Sequence, residues 1–136
     1  MNYNVFSHRQ AEEILKSKLA TYNAIKNLIT GLPPNADHTA IKNAFKKMNW
    51  ETEVRPSERE LQKKWRYDAF RDMVAVEIDT GGTPYRSLLK FVLGYNEGKI
   101  HVGVTLCRHS ELKLRQRELE DLHVILPVPI LVVGIY

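Results

Sequence analysis

The sequence predicts a mixed α/β fold, a central mixed sheet of about five strands flanked by helices, in the order ααβββαβαβ. Three observations lead there. The first 48 residues carry apolar side chains at helical steps, the pattern switches to a two-residue period at Trp50, and Val/Ile-rich strands then alternate with amphipathic helices.

Each element has its own signal. From Arg9, the positions Ala11, Ile14, Leu15, Leu19, Tyr22, Ile25, Leu28 and Ile29 recur every three or four residues, so the first thirty residues read as one helix. Ser7 is its candidate cap, and Gly31 with Pro33-Pro34 stops it. A second helix starts after Asp37, a good N-cap, with Ala40, Ile41, Ala44, Phe45 and Met48 on one face. Trp50, Thr52 and Val54 alternate with Glu51 and Glu53 as a strand would. Arg55 to Lys64 is polar and reads as a loop. Trp65 to Phe70 and Met73 to Ile78 read as the next two strands. Thr80 to Pro84 is a turn into a helix that buries Leu88, Leu89, Phe91, Val92 and Tyr95. A strand from Ile100 to Leu106, a charged helix from Ser110 to Leu122 and a strand from Ile130 to Tyr136 complete the series. One domain over 1–136 is expected, with a helical part at 1–48 and the sheet-bearing part at 49–136.

Composition narrows the function classes. With 136 residues, 43% hydrophobic and 26% charged, the chain reads as globular and not disordered. The longest apolar run, Val124 to Tyr136, is broken by Pro127, Pro129 and Gly134 and reads as a buried strand, not a membrane span. One cysteine, Cys107, excludes an internal disulfide and a Cys-based zinc site. No signal peptide is recognisable at the N-terminus, so a cytoplasmic location is expected. The formal charge of +4 suits a nucleic-acid partner without requiring one. His8, His38, His109 and His123 show no ligand spacing with one another. Lys46-Lys47 and Lys63-Lys64 read as solvated faces or phosphate contacts, and Gly81-Gly82 lacks the Lys and Ser/Thr of a phosphate loop.

Two carboxylates stand out. Glu77 interrupts Met73-Val74-Ala75-Val76-Glu77-Ile78, a segment otherwise suited to a buried central strand, and an unpaired buried carboxylate costs several kcal/mol, roughly, unless paired or metal-bound. Asp79 lies two residues on and so shares its face. Asp68 lies nine residues upstream, and a hairpin around Arg71-Asp72 sets it opposite Glu77. Three carboxylates on one patch suit Mg²⁺, which takes oxygen ligands. The alternatives are a structural Glu77 bonded to a nearby Arg or Lys, and an Asp79 that only begins the turn before Gly81-Gly82.

The spacing D-x8-E-x-D formed by Asp68, Glu77 and Asp79 resembles the PD-(D/E)xK nuclease motif. The surrounding segments Val-Ala-Val-Glu-Ile-Asp, Tyr-Arg-Ser-Leu-Leu-Lys-Phe, Ile-His-Val-Gly-Val-Thr-Leu and Pro-Val-Pro-Ile-Leu-Val-Val-Gly-Ile resemble, in order, the BglII/BstYI/BamHI group of type II restriction endonucleases. The resemblance spans Asn43 to Tyr136 and makes 49–136 the nuclease core. It implies a restriction-endonuclease-like fold and Mg²⁺-dependent hydrolysis of double-stranded DNA by a homodimer, with Mn²⁺ able to substitute. It assigns Asp68, Glu77 and Asp79 as metal ligands, Asp79 also as the residue that positions the attacking water, and Asn43 as a further catalytic residue from the helix before Trp50, a role for which Glu51 and Glu53 are the alternatives. The superfamily lysine is replaced here by Asp79; Lys90, on the helix after the motif, is the candidate for the missing positive charge. The other implied reading is an inactive scaffold of this type that binds DNA or regulates.

Overall fold

The computed structural model describes residues 2–58, 65–81 and 84–136. At its centre lies a five-stranded sheet made by β1 (Tyr3–His8), β2 (Ala69–Arg71), β3 (Val74–Asp79), β4 (Val102–Arg108) and β5 (Ile130–Ile135), in the spatial order β1-β5-β4-β3-β2. β3, β4 and β5 are parallel, while β1 and β2 run antiparallel to their neighbours at the two edges. Parallel neighbours need crossovers. Two helices provide them: α4 (Pro84–Asn96) between β3 and β4, and α5 (Leu112–Asp121) between β4 and β5. Three more helices, α1 (Ala11–Lys16), α2 (Leu19–Thr30) and α3 (His38–Lys47), lie between β1 and β2.

The expected class is present, a mixed sheet of five strands flanked by helices, but its membership differs and the order becomes βαααββαβαβ. The segment expected to be purely helical opens with β1, which pairs with β5 from the far end of the chain. Tyr3, Val5 and Phe6 are strand formers, and Arg9 and Gln10, both left-handed, turn the chain into α1. The single long helix is two, parted at Ser17-Lys18, where Lys18 leaves helical geometry and the Ser17 hydroxyl bonds to Ile14 O. Ser7 sits in the strand yet still acts as a cap, accepting the Glu12 N–H at 3.0 Å. Asp37 caps α3 as expected, accepting the Ala40 N–H at 2.8 Å.

Residues 50–54 do not form the expected strand. They touch the hairpin only through isolated bridges, Glu51 to Phe70 and Val54 to Tyr67, because Glu53 adopts φ +61° between them and breaks the extended path. The hairpin itself turns at Asp72-Met73, both left-handed, the geometry of a two-residue turn that matches strand twist. The loop expected over Arg55 to Lys64 lies partly, and Lys63-Lys64 wholly, outside the described residues.

Strand alternation divides β3 cleanly. Val74, Val76 and Ile78 join the apolar cluster built with α1, α2 and α3, which includes Leu15, Ile25, Ile29, Ile41 and Phe45. Ala75 joins the opposite cluster with Leu88 and Phe91 of α4 and Leu119 of α5. Glu77 and Asp79 follow Ala75 at two-residue steps and so face α4. How closely α4 approaches is set at Gly103 on β4, where an added Cβ would come within 2.6–2.8 Å of the Phe91 ring. Gly103→Ala should therefore push α4 off the sheet and cost about 1–3 kcal/mol, read as a lowered midpoint in urea unfolding at unchanged slope.

Candidate active site

Asp68 immediately precedes β2, and the β2–β3 hairpin ties it to Glu77 by reciprocal bonds. The Asp68 backbone N–H donates to Glu77 Oε2 at 3.0 Å, and the Ile78 N–H donates to Asp68 Oδ2 at 2.8 Å. Each acid is thus oriented by the backbone of the other's strand. The second oxygen of Asp68 meets His38 Nε2 at 3.1 Å. His38 opens α3, and only the packing of that helix against the hairpin brings it there.

Glu77 is 2% exposed. Its Oε1 accepts from Lys90 Nζ at 2.6 Å, and Ser87 Oγ stands 3.5 Å away. Ser87 and Lys90 are three residues apart on α4 and share one helix face. The Lys90 ammonium also donates to Arg66 O at 2.8 Å. Burial first, and the Asp68 charge second, push the Glu77 carboxyl up to about 8; Lys90 opposes this without cancelling it. The Asp79 carboxylate accepts from Ser87 Oγ at 2.8 Å and Thr105 Oγ1 at 2.5 Å. Burial raises its pKa as well, while the two hydroxyls pull the other way.

Asp68, Glu77 and Lys90 therefore come together. Asp79 joins them through Ser87, yet it lines a separate small cavity with Arg115, Glu118 and Leu119. Asp68 instead lines a groove with the cations Lys42, Arg66, Arg86 and Lys90, alongside Glu53 and Trp65. Asn43 is not brought to this groove. It is exposed and lines a different one, between α2 and α3, with Asn27, Gly31 and Lys47. The helix phase explains this: Ile41 and Phe45 are buried, His38 and Lys42 lie beside them on the side toward the hairpin, and Asn43 is one step further round.

Among the described residues, no group of three or more His, Cys, Asp or Glu side chains converges as a ready metal cage. The Asp68–Glu77 pair still fits Mg²⁺. It offers oxygen donors only, and Mg²⁺ commonly takes one or two carboxylates with water and phosphate completing its shell. A buried carboxyl held above neutral pH is also a group that a cation would ionise.

The sequence matches the family model described as restriction endonuclease BglII/BglIII over residues 3–135. The chain belongs to that family. Among solved structures, it is similar to restriction endonuclease BglII complexed with a DNA 16-mer, with a TM-score of 0.80 at 15% identity over 99% of this chain and 76% of that one. Free BglII aligns with a TM-score of 0.67 at 16% identity, over 100% of this chain and 80% of that one. At such identity the likeness establishes the BglII fold. No curated protein matches the sequence. Among the described residues, no helix is long and apolar enough to cross a membrane.

Proposed function

We propose that this member of the BglII family is a Mg²⁺-dependent deoxyribonuclease, with Mn²⁺ as a substitute, that cuts double-stranded DNA as a homodimer. The observation that carries the reading is the locked Asp68–Glu77 pair with the Lys90 ammonium on Glu77 Oε1, at the side of a groove bearing four cations.

Asp68 and Glu77 hold the ion. When bound, it supplies Lewis-acid stabilisation of the phosphoryl group and a water of lowered pKa. Lys90 has three N–H donors, of which two are engaged by Glu77 and the Arg66 carbonyl. Among the described residues the third has no partner, which leaves it for a phosphate oxygen in the groove that Lys90 lines, so the charge absent at position 79 arrives from α4. Asp79 steadies Glu77 through Ser87; direct contact with a metal or water would require it to surrender the Ser87 or Thr105 hydroxyl. Arg66 and Arg86 attract the phosphate backbone. Incubating supercoiled plasmid with the protein in Mg²⁺, Mn²⁺ or EDTA tests the reading: metal-dependent fragments support it, and intact plasmid in every metal sinks it.

Double-strand cleavage calls for two sites and hence a second copy. Tyr85 and Leu89, one turn apart on α4, are 62% and 52% exposed and flank Arg86 of the groove; Leu89, expected to be buried, faces outward while Leu88 takes the core position. They are our candidates for the two-fold contact. Leu89→Glu should convert a dimer to a monomer in sedimentation velocity and leave nicking in place of double-strand cuts.

A second reading is favoured by the hydroxyl partners of Asp79 and by the absence of a three-ligand cluster among the described residues. On it, the chain is an inactive scaffold that binds DNA or regulates. Calorimetry with Mg²⁺ and Mn²⁺ separates the two, since the scaffold gives no metal-binding heat even where it binds DNA.

A further inference from the structure

Glu53 lies between the bridges Glu51 to Phe70 and Val54 to Tyr67, which run the 50–54 segment alongside the residues that lead from Tyr67 through Asp68 into β2. Glu53 holds φ +61°, which residues with a Cβ rarely adopt, and its N–H is pinned to Tyr67 O at 3.2 Å. Its carboxylate is bonded to the ammonium of Lys42, one turn beyond His38 on α3. Both side chains line the groove that contains Asp68, Arg66, Arg86 and Lys90. The Glu53 side chain is 56% exposed and that of Lys42 only 21%. A half-exposed ion pair contributes little to folding, so the pair does not by itself account for a strained backbone kept at the rim of a cationic groove.

We infer that Lys42 is a contact for a substrate phosphate and that the Glu53 carboxylate occupies the place of that phosphate in the DNA-free protein, keeping the ammonium aimed into the groove. An incoming phosphodiester exchanges one oxyanion partner of Lys42 for another, so Lys42 needs little reorganisation on binding. The identity of the polyanion rests on the nuclease reading above; the exchange at Lys42 does not depend on cleavage.

The test is binding of a short fluorescein-labelled duplex by anisotropy, in EDTA, across a salt series. Lys42→Ala should weaken binding about tenfold and reduce the slope of log K against log salt by about one. Lys42→Arg should keep the slope. Glu53→Gln should tighten binding roughly two- to fivefold, the range for freeing one exposed ion pair, and should give no gain when combined with Lys42→Ala. Unchanged circular dichroism establishes that each variant is folded. An unchanged slope in Lys42→Ala, or an equal gain from Glu53→Gln with and without Lys42, overturns this inference alone. A wild-type protein that binds no duplex at any salt overturns it together with the nuclease reading.

Discussion

Glu77→Ala is expected to lower metal-dependent plasmid cleavage by roughly 10³-fold or more, beyond detection in an ordinary gel assay. Glu77 has more to lose than its neighbours because it is the buried member of the pair, 2% exposed, and ties both the Asp68 backbone and the Lys90 ammonium to one carboxylate. Oε2 fixes the Asp68 backbone, and Oε1 holds Lys90. Removing the carboxylate deletes one proposed ligand and frees the backbone that orients the other. It also leaves the Lys90 ammonium, only 13% exposed, without its acidic partner. Glu77→Gln is the isosteric companion: it keeps the shape, but its one amide oxygen can accept from Asp68 N–H or from Lys90 and not from both. If either folded variant cleaves at the wild-type rate, Glu77 is not the metal-holding residue. If Gln loses activity as Ala does while melting normally, the charge itself is required.

The acidic pair was legible in the sequence because two local rules suffice to find it. A carboxylate inside an apolar β3 is conspicuous, and alternation across a short hairpin sets Asp68 against it. Lys90 was legible for a similar reason, since a helix that follows the motif strand must fold back over it. The residues that were missed depend on contacts remote in sequence. His38 reaches Asp68 across thirty positions, and nothing near His38 signals it. Resemblance points to Asn43, but placing a helix residue in a site requires the helix phase relative to the sheet. Here that phase favours His38 and Lys42. β1 is hard to read because half of its six residues, Asn4, Ser7 and His8, are polar, which leaves a weak strand signal. The strand expected at 50–54 failed at one residue, Glu53, whose left-handed backbone is imposed by its surroundings and has no glycine or asparagine to announce it.

The metal-free protein should lose stability through Glu77 as pH rises, a direction opposite to that of an ordinary salt-bridged carboxylate. Folded Glu77 titrates near 8, whereas in the unfolded chain it titrates near 4.5. Between those values the folded state keeps a proton that the unfolded state has released, so the unfolding free energy falls with pH. The contribution is fully present below about pH 4.5 and is lost as pH passes through about 8, at a slope approaching 1.4 kcal/mol per pH unit. Asp79, raised as well, acts in the same direction. Thermal melts in EDTA from pH 4 to 9, roughly spanning this window, should show wild type losing stability relative to Glu77→Gln as pH rises. Parallel curves would mean that Lys90 keeps Glu77 ionised throughout. Adding Mg²⁺ should then reverse the trend for wild type alone: the ion binds the carboxylate only after its proton leaves, so its stabilisation grows with pH and is absent from the glutamine variant.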